Sequence, residues 1–417
     1  MKQRLLLTLG LTTILLPGFA PAQNVVTEWN NIAVATALAG NSVIPANSPN
    51  GTTLYLAYVH LAMHDAVNAI AHRYTPYGPA MTATTGASLD AAAAAAAYTT
   101  LQFHFPAQAD ALTLRYKYSL AAIPASGKAE GALAGITAAN QLIAMRASDG
   151  HGANVPYVYP NVPTPGIWIP TPPAFAPPIT PWMGQMVPFT MSRASQFFPE
   201  PPSSLSSTEW ADDYNQVKAV GAVDSTVRTA EQTETALFWT ENTAAQYSRA
   251  LRNLAGARNL DAVETARLFA LVWTSSADAL IGCWNAKFFY SFWRPVTAIP
   301  NGDIDGNDST VAQRGWTPLA ATPAHPEYPS AHGCLTGALA ESLQEYFGTP
   351  NFTFILSSTV TNTVHEIRST DELGQEVQNA RMWAGIHFHH SVVQGAALGR
   401  KVADQAFQNF FQAQSRK

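Results

Sequence analysis

Apolar residues recur at three- and four-residue steps along most of this chain, and the strict alternation of a half-buried strand is nearly absent. From Val25 to about Gly150 the pattern is helical throughout. Leu54 to His72 carries one such stripe, and Ser88 stands as an N-cap before a run that includes seven consecutive alanines, Ala91 to Ala97. Gly131, Gly135 and Ala138 share one face of a further helix, where small side chains let a neighbour approach closely. The helical pattern returns with Ser206-x-x-Glu209 and again with Asp261-x-x-Glu264, both read as capping boxes; the second opens the long run that delivers Lys287. One short strand is predicted, Asn351 to Ser357. The pattern predicts an all-α protein, a helical bundle of about 10 to 15 helices.

Between the two helical halves the composition changes. Fourteen prolines lie between Pro156 and Pro202, interleaved with Trp168, Phe175, Trp182, Phe189 and Phe197. Proline forbids a continuous helix or a central strand there. Because the segment is rich in aromatics rather than in Ser, Gly or charge, it is expected to be an ordered arm wrapped over the helices and walling the mouth of a site, rather than a flexible linker. Four parts follow: a leader, residues 1–22; a helical scaffold, 23–154; the Pro/aromatic-rich arm, 155–205; and a C-terminal helical catalytic region, 206–417.

The leader reading rests on Met1-Lys2-Gln3-Arg4, an apolar stretch from Leu5 to Leu16, and Ala20-Pro21-Ala22 before Gln23, the pattern of a secretory signal with its cleavage site. That apolar stretch is shorter than the roughly 20 residues needed to span a bilayer, and no membrane span is expected elsewhere. The mature protein is therefore expected to be exported, to a periplasm or the exterior. The net charge of −5, with charged residues at 12%, gives no sign of a nucleic-acid or acidic-membrane partner. The sequence leaves a homo-oligomer open. Its two cysteines, Cys283 and Cys334, exclude a disulfide framework and a four-Cys zinc site. In an oxidising compartment they could pair, but two buried free thiols are favoured.

Against this sparsely charged background, Lys287, Arg294, Ser330, His332, Arg381 and His387 make sense together, as a cage for a tetrahedral oxyanion. Lys287 and Arg294 stand seven residues apart, two turns and one face of a helix. Ser330 precedes an apolar helical run, Cys334 to Phe347, whose free N–H groups and positive dipole end would face an anion. Arg381 and His387 would lie about 120° apart on an ideal helix, so a break near Gly385 is expected to let both converge.

These segments, KFFYSFWRP, PSAH and ARMWAGIHFHHS, resemble the signature of the vanadium-dependent haloperoxidases and of the acid phosphatases that share their fold, the type 2 phosphatidic acid phosphatase (PAP2) superfamily. The family pattern is K-x6-R-P, then P-S-G-H, then S-R-x5-H-x3-D. HLAMHDAVNAI, RTAEQTETALFW, RPVTAIPNGDIDGN and HPEYPSAHG extend the resemblance to the secreted bacterial haloperoxidase-related branch over most of the mature chain.

The resemblance implies a vanadate cofactor bonded through vanadium to His387, with Lys287, Arg294, Ser330, the Ala331 N–H and Arg381 on its oxygens. His332 would act as acid and base, and Lys287 would polarise bound peroxide. The substrates implied are hydrogen peroxide, a halide (bromide or chloride) and an organic acceptor. Phosphate has the same shape and charge as vanadate. The alternative is thus a metal-independent phosphatase in which His387 attacks the phosphate ester to form a phosphohistidine and His332 protonates the leaving alcohol. A third reading is an oxyanion-binding protein with little catalysis.

Three departures from the pattern bear on this choice. Ala331 replaces glycine, placing a methyl beside the anion and removing freedom for positive φ; Ala380 replaces serine; and Ser391 stands where relatives carry an aspartate. Serine can still accept the hydrogen bond of the ring of His387 but brings no charge, so weaker anion affinity or a poorer nucleophile is expected. The last point favours a ligand over a nucleophile, and the haloperoxidase over the phosphatase. The lipid phosphatases of the superfamily also usually carry transmembrane helices.

Other histidines and acids read more simply. His60 and His64, with Asp65, have the spacing of a metal pair but lack a third ligand, so hydrogen-bonded core histidines are expected. Asp303 to Asp308 imitates the start of a calcium loop, with Asp308 and Arg314 where glycine and glutamate belong, and is read as a polar turn. His325 is a candidate for the pocket lining. On a helix starting near His387, His389 and His390 would point away from it.

Overall fold

The computed structural model describes residues 24–40, 42 and 48–414; the expected leader lies outside the described residues. The first half comprises α1 (Val25–Ala39), α2 (Pro49–Ala71), α3 (Leu89–His104), α4 (Ala109–Ala122) and α5 (Lys128–Arg146). The second comprises α6 (Thr208–Val220), α7 (Ala230–Phe238), α8 (Thr243–Ala257), α9 (Ala262–Tyr290), α10 (Pro295–Ala298) and α11 (Ala331–Phe347), then β1 (Asn351–Ser357), β2 (Val364–Ser369), α12 (Thr370–Trp383) and α13 (His389–Asn409). The fold is all-α, as the periodicity predicts. The expected strand is β1, which pairs antiparallel with β2.

The bundle is organised around α9, buried over most of its length because its sequence is apolar on every face. It packs against α2 on one side and against α11 and α13 on the other. Ser88 caps α3, its Oγ accepting from the Ala91 N–H at 3.2 Å, and Asp261 caps α9 through the Glu264 N–H at 2.8 Å. Gly131 and Gly135 let α5 lie on α3: a Cβ at Gly131 would sit 2.2 Å from the Ser88 carbonyl oxygen, and one at Gly135 2.2 Å from that of Ala92.

Two local expectations need correction. The cap of α6 is Ser207, whose Oγ accepts from the Trp210 N–H at 3.1 Å; Ser206 instead meets the Ser204 hydroxyl at 3.1 Å. Lys287 and Arg294 do not share a helix. α9 ends at Tyr290, Ser291 takes a left-handed conformation (φ 50°), and Arg294 is extended (φ −84°, ψ 155°) as the N-cap of α10. Pro295 disfavours helical backbone at the residue before it, which forces this exit.

The Pro-rich arm is irregular apart from a 3-10 turn, Pro181–Gln185, yet its backbone is pinned. Asp278 of α9 accepts from the N–H groups of Phe189, Thr190 and Met191 and from the Thr190 hydroxyl, and Arg146 donates to the carbonyls of Val187 and Pro188. Further along, the Ile179 N–H donates to the Ala324 carbonyl at 2.9 Å, drawing the arm against the segment that leads into α11.

Candidate active site

Three chain reversals bring the polar residues together. The turn after α9 carries Arg294, the loop before α11 carries Glu327 and Ser330, and the break between α12 and α13 carries His387. At that break Gly385 has φ 75°, its N–H donates to the Met382 carbonyl, and that of Ile386 donates to the Arg381 carbonyl. The positive φ is where glycine is needed, and it turns His387 back toward Arg381. Lys287, Arg294, Ser330, Arg381 and His387 are all buried.

His387 is held by groups that fix its tautomer. Its Nδ1 lies 2.7 Å from Oε1 of Glu327, and its Nε2 lies 3.1 Å from Nη1 of Arg294. A guanidinium only donates, so Nε2 must be the unprotonated nitrogen and Nδ1–H donates to Glu327. Burial first, then Arg294, Lys287 and Arg381, hold its pKa well below the usual histidine range, so the ring is neutral. Nε2 therefore keeps a lone pair, the atom needed to ligate a metal oxyanion or to attack phosphorus.

Glu327 is the residue that sequence reasoning missed, and it overturns the expectation that His387 lacks a carboxylate partner. Ser391 Oγ stands 3.5 Å from Nδ1, outside good hydrogen-bonding distance, and donates toward the Glu327 carbonyl at 3.4 Å. Burial pushes the Glu327 carboxyl up to about 7, opposed by Arg294 and Lys287. The available signal was an acid in an otherwise apolar segment, His325-Pro326-Glu327-Tyr328-Pro329, in a chain whose expected aspartate is a serine.

The cations are engaged differently. Lys287 donates to the carbonyls of Pro326 and Glu327, both at 2.9 Å, and to that of Pro329. Its three N–H bonds are spent on the loop that carries Glu327 and Ser330, and burial brings its pKa down to about 8. Arg294 donates to the His325 carbonyl at 2.9 Å and the Ile386 carbonyl at 2.7 Å, and through Nη2 to His325 Nδ1 at 2.9 Å. Arg381 donates to the Trp239 carbonyl at 2.8 Å, while its buried Nε has no partner. Ser330 caps α11, its Oγ accepting from the Gly333 N–H at 3.3 Å, which leaves the O–H proton for another acceptor. Ala331 is the first residue of α11 with ordinary helical backbone, so its methyl strains nothing.

A cavity of about 100 Å³ is lined by His387, Arg381, His332, Ala331 and His325 and walled by Pro49, Ile179, Leu280, Pro323 and Leu335; Lys287, Arg294 and Ser330 lie outside its lining. Ile179 brings the arm into that wall. His332 Nε2 meets the Thr243 hydroxyl at 2.9 Å, and burial, with Arg381 next, keeps its ring neutral. Thr243, on the first turn of α8, was not foreseen.

The remaining candidates lie elsewhere. His60 meets Asn30 at 2.9 Å and His64 meets Asp65 at 3.0 Å, both in the core. Asp305 accepts from Trp210 Nε1, the Asn307 N–H and the Thr310 hydroxyl, making the 303–308 segment a polar turn. Among the described residues no cluster of three or more His, Cys, Asp or Glu side chains is placed to hold a metal ion, and no helix is long and apolar enough to cross a membrane. Cys283 and Cys334 are buried free thiols. His390 stacks on Tyr328 and pairs with Glu209 at 3.2 Å.

Comparison with known proteins adds relatives to this geometry. Residues 267–415 match the family model of the VCPO second helical-bundle domain. The vanadium chloroperoxidase of Curvularia inaequalis is 25% identical over 197 residues, covering 40% of this chain and 32% of that protein, so the match spans about a third of the relative's length. A bacterial vanadium-dependent iodoperoxidase structure superposes with a TM-score of 0.80 at 22% identity, covering 94% of this chain and 97% of the other. An apo-type bacterial vanadium-dependent chloroperoxidase gives 0.72 at 16% identity, covering 94% and 98%. The chain thus has the fold of the bacterial vanadium-dependent haloperoxidases, and its residues 267–415 match a VCPO second helical-bundle domain.

Proposed function

We propose that this chain is an exported vanadate-dependent haloperoxidase, oxidising halide with hydrogen peroxide in the cavity above His387. The observation that carries the reading is that cavity. It is small, about 100 Å³, and His387, His332 and Arg381 line it together, which suits a small oxyanion; the likeness in fold to a vanadium-dependent iodoperoxidase and chloroperoxidase supports the haloperoxidase chemistry there. The leader pattern of residues 1–22 supports export, and Ile179 in the cavity wall supports reading 155–205 as an ordered arm between a scaffold (23–154) and a catalytic region (206–417).

The donor set fits vanadate. A lone pair at His387 Nε2, the unpartnered Nε of Arg381, the uncommitted O–H of Ser330 and the leading N–H groups of α11 are what a tetrahedral anion takes up. Bound vanadate would supply a Lewis-acidic centre at which peroxide becomes able to oxidise a halide. Arg294 and Arg381 neutralise the anion's oxygens, and Lys287 adds a positive charge from beneath the loop it grips. His332, neutral and facing the cavity, takes and returns the proton through Nε2, next to the Thr243 hydroxyl. Overall, peroxide, halide and a proton give hypohalous acid and water.

A second reading, the phosphohistidine phosphatase, is favoured by Glu327. With a carboxylate on Nδ1, His387 is a competent nucleophile, and Ser391 no longer argues against it. One experiment separates the two. Phosphate-stripped protein is reconstituted with orthovanadate and assayed for bromination of a 1,3-dione with peroxide and bromide, beside p-nitrophenyl phosphate hydrolysis without vanadate. Bromination that needs vanadate and is lost in His387→Ala supports the proposal; hydrolysis inhibited by vanadate, without bromination, reverses it.

A further inference from the structure

We propose that Glu327 is the positioning residue of this site, the carboxylate that replaces the one missing at Ser391 and holds the His387 ring with its Nε2 lone pair in the cavity. The inference rests on reading the cavity as an oxyanion site.

Its geometry is that of an orienting group. Oε1 accepts from His387 Nδ1–H at 2.7 Å and from the Phe388 N–H at 3.0 Å, so one oxygen fixes both the ring and the backbone beside it. Oε2 is buried without a partner, which a carboxylate kept only for structure would seldom leave so. The loop beneath is fixed independently. Lys287 holds the carbonyls of Pro326, Glu327 and Pro329, and the Ser330 N–H donates to the Ser391 carbonyl at 3.0 Å. Glu327 thus reaches the ring from the loop before α11, whereas an acid at position 391 would reach it from the first turn of α13. Both routes end at Nδ1, because Ser391 Oγ already lies 3.5 Å from that atom. There is room for one carboxylate at Nδ1; a second, buried beside Glu327, would be repelled.

This exclusivity gives the substitution at 391 a sign that depends on 327. In the wild type, Ser391→Asp crowds two acids onto one ring and weakens anion binding. In Glu327→Ala, the same Ser391→Asp restores the missing partner. The test uses the full mature chain and titrates inorganic phosphate and orthovanadate by calorimetry, with thermal melts to confirm folding. Protein carrying ¹⁵N-histidine reports through the His387 ring shifts which nitrogen holds the proton. Glu327→Ala is expected to lower affinity for both anions by about 10- to 100-fold, the usual effect of removing an outer-shell partner, and to lose the fixed Nδ1–H tautomer. Glu327→Ala/Ser391→Asp is expected to recover both. The proposal is overturned if folded Glu327→Ala keeps wild-type affinity and tautomer, or if the double variant fails to recover either while remaining folded. Should the wild type bind neither anion, the oxyanion reading fails, and the ring shifts still decide whether Glu327 holds His387.

Discussion

Nη1 of Arg294 stands 3.1 Å from Nε2 of His387, so the one ring nitrogen with a free lone pair is covered by a cation. On the proposed reading, an anion in the cavity would replace that contact, taking the lone pair and the guanidinium together. The fork of Arg294 also spans the carbonyls of His325 and Ile386, which sets the width between the loop before α11 and the break after α12.

Arg294→Lys tests this. An ammonium keeps the charge but cannot reproduce a planar fork that spans two carbonyls and two imidazoles. Phosphate and orthovanadate affinity should fall by about tenfold or more, with a lower melting temperature because buried acceptors lose their donors. Calorimetry that returned wild-type affinity for both anions would take Arg294 out of the site.

The convergence of His332, Arg381 and His387 on one cavity, with Arg294 against His387, was legible because few cations occur in this chain and their segments carry turn and cap residues. The break at Gly385 followed from the arithmetic of a six-residue gap on a helix. What escaped was long-range: Glu327 meets His387 across 60 residues, a pairing that no local periodicity encodes. The helical spacing that pointed to Lys287 is not kept, since α9 ends at Tyr290, and the lysine's commitment to three carbonyls depends on where the loop after Pro326 lies. Seven-residue spacing alone carries α9 through Arg294, whereas Pro295 disfavours helical backbone at the residue before it and α9 ends at Tyr290. For β2, Val364–Ser369, the polar alternation is too weak to stand out without β1 beside it.

The arm should depend on one carboxylate. Asp278 accepts from Phe189 N–H, Thr190 N–H and the Thr190 hydroxyl, each at 2.6 Å, and from Met191 N–H at 3.1 Å. Asparagine offers a single acceptor and turns an NH₂ toward N–H donors. Asp278→Asn should therefore cost about 2–4 kcal/mol. Limited proteolysis should show faster cutting between residues 181 and 195, and urea melts should shift to a lower midpoint; an unchanged cleavage rate would mean the prolines alone hold the arm.

The α3–α5 contact makes a separate prediction, remote from the cavity. At Gly131 and Gly135 an added Cβ would lie 2.2 Å from a backbone carbonyl oxygen, and the backbone can yield only by parting the helices. Gly131→Ala and Gly135→Ala should each cost about 1–3 kcal/mol. Phosphate affinity of the folded variants should match the wild type. A thermal melt within a degree of the wild type would show that the helices separate freely.

His365 supplies a pH-dependent clip between the sheet and the helices. Its Nε2 lies 3.0 Å from Glu234 of α7 and its Nδ1 2.7 Å from Glu376 of α12, and its ring stacks on Phe238 with centroids 3.8 Å apart. Burial lowers its pKa, but the hydrogen bond to and charge of Glu376, then those of Glu234, outweigh it and raise the net value above the ordinary 6.5. The folded state therefore binds the proton more tightly than the unfolded chain. The resulting stability is fully present below about pH 6.5 and is lost as pH rises through the folded value. Urea unfolding of wild type and His365→Gln at pH 5.5 and 8.5 should show a gap that is larger at pH 5.5. A gap that instead grew toward pH 8.5 would mean that the neutral ring holds the two carboxylates, through one donated proton and through stacking on Phe238.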